Sequence, residues 1–104
     1  MNRKEADKWY TLEELHDIVA PIATEHGVDR VYLFGSRARG DNEEDSDYDF
    51  CIAAPKSFSL LKISSFLCDL KGAIGNRVDL VWEDNLGPNM MKEVLRDRRL
   101  VFEA

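Results

Sequence analysis

Two short apolar runs, each tied to a distinctive turn, constrain this chain more than any other feature. Val31 to Phe34 reads as a strand that runs into Gly35-Ser36 and then a short helix. Tyr48 to Ala54 reads as a second strand, with Asp47 and Asp49 at its start. Residues two apart on a strand face the same side, about 6.6–7 Å apart at the backbone. Two carboxylates therefore converge beside a turn whose outward backbone N–H groups suit a phosphate. Like charges held at about 4 Å repel by about 1 kcal/mol in water and about 4 kcal/mol near a protein surface. Stability alone gives little reason to bring them together, whereas two Mg²⁺ ions roughly 3.5–4 Å apart would. The plain alternative is a solvated strand start that continues the acidic run Asp41, Glu43, Glu44, Asp45. That reading would win for an isolated Asp-x-Asp, and the Gly-Ser turn upstream reverses the choice.

The remaining chain supplies helices and one more informative strand. Thr11-Leu-Glu-Glu14 reads as a capping box, followed by Leu12, Leu15, Val19 and Ile22 at helical spacing. Pro21 predicts a bend or restart, and Gly27 a stop. A second helix is expected over about 58–71, with Leu60, Ile63, Leu67, Leu70 and then Ile74 on its apolar stripe. Pro88 opens a last helix to about Arg98, with Met90, Met91, Val94 and Leu95 as its buried side. Leu100 to Phe102 then read as a short final strand. On the 48–54 strand, alternation puts Tyr48, Phe50 and Ile52 on one face and Asp47, Asp49, Cys51 and Ala53 on the other. The large apolar side should take the helices, leaving room for a ligand over the carboxylates. Asp79 interrupts the strand Arg77 to Trp82, where Asp is disfavoured unless exposed, paired or bound to metal. Taken alone, an ion pair with Arg77 and a shared ligand site are equal readings of it.

At 104 residues and net charge −6, the chain has room for one modest core. Residues 1–10 read as a loose polar segment, although Trp9 and Tyr10 can fold back, and 11–104 as a single domain. No stretch is long and apolar enough to span a membrane, so a cytoplasmic protein is expected. The acidic balance argues against an extended nucleic-acid-binding surface but not against a nucleotide. Cys51 and Cys68 read as buried reduced thiols, His16 as solvent-facing, and His26 as a helix-end residue suited to the dipole rather than to a metal. The loop Asp41 to Ile52 fails as a calcium site because Ser46 stands where the turn glycine belongs.

Together, Gly35-Ser36, Ala38-Arg39-Gly40 and Ser46-Asp47-x-Asp49 resemble the signature of minimal nucleotidyltransferases in the DNA polymerase β-like superfamily. The resemblance implies an α+β fold: a small mixed β-sheet with helices packed on one face and the catalytic carboxylates on the other. It implies Asp79 as the third member of a catalytic and metal-binding triad with Asp47 and Asp49. Gly35 and Ser36 would hold the terminal phosphates. Arg37 and Arg39 read first as surface or loop-bracing residues, and Arg39 is carried as a further nucleotide-binding candidate. Two Mg²⁺ ions, ATP as substrate, and AMP transfer to a tyrosine of a HEPN-domain toxin, with the chain as antitoxin, are likewise implied by the resemblance. The rival expectation is a non-catalytic module of the same fold that neutralises a partner by contact.

Overall fold

The computed structural model describes residues 10–104. The expectation of a loose start therefore lies, for residues 1–9 and Trp9 among them, outside the described residues. Tyr10 itself folds back, with its backbone N–H donating to the Tyr48 hydroxyl at 3.0 Å and the two rings 5.8 Å apart.

Helix α1, Leu12–His26, begins with the expected capping box: Glu14 N–H donates to Thr11 Oγ1 at 3.0 Å, and Thr11 N–H to Glu14 Oε1 at 2.9 Å. The helix continues through Pro21 as one element. Proline there removes one hydrogen bond, while Leu15, Val19 and Ala23 stay fully buried on the opposite side and hold both halves to the same sheet. Gly27, at φ +77°, ends it, and Val28 N–H closes back onto Ala23 O at 2.9 Å.

Strand β1, Arg30–Phe34, is followed by the short helix α2, Ser36–Arg39, and strand β2, Tyr48–Ala53. Helix α3, Leu60–Ile74, leads to strand β3, Val78–Trp82, and a single 3₁₀ turn at Glu83–Asn85. Helix α4, Pro88–Asp97, precedes strand β4, Arg99–Glu103. The sheet order is β3-β2-β1-β4, with β1 antiparallel to both β2 and β4 and β3 parallel to β2. A parallel neighbour cannot be reached by a hairpin, and α3 supplies the crossover.

The main core lies where alternation places it. Tyr48, Phe50 and Ile52 join Val31, Leu33 and Val78 under Leu15 and Val19 of α1 and Phe66 and Leu70 of α3. A smaller cluster on the other face seats Val94 of α4 on Phe34 and Cys51.

Several details depart from the periodicity. Leu60 is 75% exposed, because a turn closed by Phe58 N–H on Pro55 O at 2.8 Å puts Phe58 into the core first and Ser59 caps the helix after it. On α4, Val94 and Asp97 are buried while Met90 and Leu95 stand exposed, since the helix is turned to bring Asp97 inward. Cys51 is buried and its thiol pushed up to about 11, chiefly by desolvation, but Cys68 is exposed. Both are free thiols. His16, on the solvent side, also reaches the Val101 carbonyl, with Nδ1 2.8 Å from the oxygen.

Candidate functional site

The end of β1 sets the site. Gly35 adopts φ +78° and ψ −158°, a backbone conformation that a side chain strongly disfavours. A Cβ built there would also stand 2.6 Å from Asp49 Oδ2. The conformation calls for glycine, and a side chain there would also displace the carboxylate of the second aspartate, which lies against the turn. The Gly35 carbonyl accepts from Ala38 and Arg39, and the Ser36 carbonyl from Gly40 and Asp41, which winds the chain into α2. Among the described residues, the Ser36 hydroxyl has no hydrogen-bond partner.

Arg37 braces the acidic loop, as its first reading holds. Its Nε donates to Ser46 O and its Nη2 to Glu44 O, both at 3.0 Å, and its guanidinium lies 4.2 Å from the Tyr48 ring centroid. Ser46 Oγ accepts from Glu43 N–H at 2.8 Å. The loop carboxylates Asp41, Glu43, Glu44 and Asp45 are all exposed.

Register brings the aspartates to one surface. Asp49 of β2 is paired with Phe34 of β1 on one side and with Asp79 of β3 on the other. Tyr48 N–H donates to Arg77 O at 2.8 Å, extending the parallel ladder toward Asp47. Asp49 is half-buried, and its carboxyl is pushed up to about 6 by desolvation first, then by the charges of Asp79 and Asp47, with Arg39 acting in the opposite direction. Asp47 and Asp79 are exposed, and Asp79 Oδ1 accepts from Leu80 N–H at 3.0 Å.

A divalent cation fits this donor set. The three groups are hard oxygen ligands of like charge, and burial, followed by the charges of Asp79 and Asp47, holds Asp49 above its ordinary range despite Arg39. The oxygens are not already drawn together as a closed cage. Among the described residues, three ligand atoms within 4.8 Å of one another occur at Glu25, His26 and Asp69, away from the site on α1 and α3. There, His26 Nε2 lies 2.7 Å from Asp69 Oδ2.

Arg39 is engaged by two carboxylates. Its Nη1 donates to Asp97 Oδ2 at 2.8 Å and its Nε to Asp41 Oδ2 at 3.1 Å. Asp97 is the residue that sequence reasoning missed. Its side chain is 4% exposed, and hydrogen bonds from Arg96, and next from Arg39, outweigh burial and hold its carboxyl down at about 2. A signal was present: a carboxylate in the last turn of a helix opposes the dipole and calls for a cation.

Comparison with known proteins follows the same lines. The family model for polymerase beta nucleotidyltransferases matches residues 16–104. The protein adenylyltransferase MntA of Thermococcus cleftensis is 37% identical over 91 residues, covering 84% of this chain and 92% of that protein. A structure solved as a candidate minimal nucleotidyltransferase superposes with a TM-score of 0.73 at 38% identity, covering 86% of this chain and 95% of the other. An MNT antitoxin complexed with the tri-AMPylated HEPN toxin of Shewanella oneidensis shares the fold, at TM-score 0.70 and 16% identity over 90% of this chain and 74% of that one. A match spanning β1 to β4, and a relative aligned over nearly its whole length, show that the chain belongs to the polymerase beta-like nucleotidyltransferases, in their minimal branch.

Proposed function

We propose that this minimal nucleotidyltransferase moves AMP from ATP to a tyrosine hydroxyl of a HEPN-type toxin and so serves as its antitoxin in the cytoplasm. The observation that carries the chemistry is the register of Asp49 against Asp79, directly beside the Gly35 backbone. The acceptor derives support from the relatives: one is named a protein adenylyltransferase, and the fold recurs in an antitoxin bound to an AMPylated toxin.

Asp47, Asp49 and Asp79 would hold two Mg²⁺ ions. When bound, such ions neutralise charge on the phosphoryl oxygens and the leaving group. Gly35 and the unpartnered Ser36 hydroxyl hold the terminal phosphates, and Arg39 contributes positive charge at the rim. The acceptor oxygen forms a bond to the α-phosphorus, the bond to the bridging oxygen breaks, and pyrophosphate leaves. Asp79, exposed at the open side of the carboxylate group, takes the acceptor proton. Residues 11–104 form the domain that does this, and the partner protein delivers the acceptor.

The test is Asp47→Asn/Asp49→Asn with α-labelled ATP, Mg²⁺ and the partner. Label should pass to the partner with the native chain and fall by at least about a thousandfold in the variant. Undiminished labelling by the variant would end the catalytic reading. Loss of labelling with full neutralisation of the partner would instead make the chain a contact inhibitor of the same fold.

A further inference from the structure

We propose that Asp97 is a positioning residue for the nucleotide, acting through Arg39; this rests on the reading of the Gly35 turn and the three aspartates as a nucleotidyl-transfer site. Asp97 is costly where it stands. It is nearly inaccessible, and it occupies the last turn of α4, where the carbonyl ends of the helix already concentrate negative charge. Arg96 alone would neutralise it, since its Nε meets Oδ1 at 2.8 Å and its Nη2 meets Oδ2 at 3.1 Å, a forked pairing that uses both oxygens. The additional bond from Arg39, 58 residues away in sequence, is therefore not needed to settle the Asp97 charge. Its consequence runs the other way, toward Arg39.

Arg39 leaves the end of α2 with its side chain 40% exposed. Without a brace, it would sample many rotamers and lose that freedom on gripping an anion. With Nη1 on Asp97 and Nε on Asp41, two of its five N–H donors are fixed and three remain for a ligand. The guanidinium is near enough to Asp49 for its charge to be felt there. Asp41 is exposed and lies in the loop, so it is the weaker of the two anchors. Asp97 is the rigid one, and through it α4 is tied to α2 across the site. An anion bound at the Gly35 turn meets an Arg39 already held in place.

Asp97→Asn, Asp97→Glu, Arg39→Ala and Arg39→Ala/Asp97→Asn, titrated with ATP in Mg²⁺ by calorimetry, test this. Asp97→Asn should keep the far-ultraviolet spectrum and bind ATP about tenfold more weakly, with Asp97→Glu between it and the native chain. In the Arg39→Ala background, the Asp97 change should have no further effect on affinity. Native affinity in Asp97→Asn, or a full loss repeated in the Arg39→Ala background, overturns the proposal. If Asp97→Asn does not fold, Asp97→Glu decides: weakened ATP binding at an unchanged Tm supports the role, and native binding overturns it. A native chain that binds no ATP defeats the transfer reading itself, whereas native binding with an indifferent Asp97 defeats only the positioning role.

Discussion

Asp49 shows what the site costs the protein that carries it. Its carboxyl titrates near 6 in the folded chain, against an ordinary value near 3.8. Between those values the folded state holds a proton that the unfolded state has released, so stability falls as pH rises from about 4 to 6 and stays reduced above that. Two pH units correspond to nearly 3 kcal/mol, but water at a half-buried group screens this to on the order of 1 kcal/mol. Asp49→Asn should therefore raise the midpoint of urea unfolding at pH 7 and leave it nearly unchanged at pH 3.5, while removing transfer activity. A less stable variant at pH 7 would show that the carboxylate is compensated after all. Asp47 and Asp49 were legible because spacing and turn chemistry act within a few residues. Asp79 could be singled out as an oddity in its strand, but its placement opposite Asp49 depends on a parallel pairing that no local pattern encodes. Asp97 could be noticed only as a carboxylate out of place at a helix end; its bond to Arg39 spans 58 residues, which no local pattern encodes.

At the scale of elements, local signals worked best where the chain interacts with itself over three or four residues. The Thr11–Glu14 box and the Gly27 stop bound α1 as expected. Thr11→Ala should cost about 1 kcal/mol and lower Tm by about 4–8 °C in a domain of this size. Thermal unfolding followed by circular dichroism checks it, and an unchanged Tm would mean that the cap contributes nothing beyond what packing already holds. The apolar stripes of α3 and α4 were less legible, because periodicity identifies a face but not its rotation. Phe58 reaches the core before α3 starts and leaves Leu60 outside, and the ion pairs of Asp97 turn α4 so that Leu95 faces water. The first shift originates in a turn before its helix, and the second involves Arg39, which lies on α2.

For the molecule as a whole, the site depends on the crossover. Asp79 meets Asp49 only while β3 lies parallel to β2, and a parallel pair joined through α3 exists only while α3 is docked. Docking rests on two fully buried side chains of α3, Phe66 and Leu70, packed with Leu15 and Val19 of α1. Truncating a buried phenylalanine costs about 3–5 kcal/mol, a large part of the roughly 5–15 kcal/mol that holds a domain together. Phe66 packs in the main core, on the face of β2 opposite Asp49, yet Phe66→Ala should bring down the site and the fold together. In urea, the variant's ATP binding and its helical signal should be lost at one shared midpoint, well below the native one. Binding lost at a lower urea concentration than the helical signal would show that α3 and β3 open as a separate unit, with β1, β2 and α1 left standing. Coincident loss follows from the sheet order, because β2 carries Asp49 between the β1 turn and the β3 aspartate. A strand that pairs with both neighbours transmits the detachment of either one to the carboxylate between them.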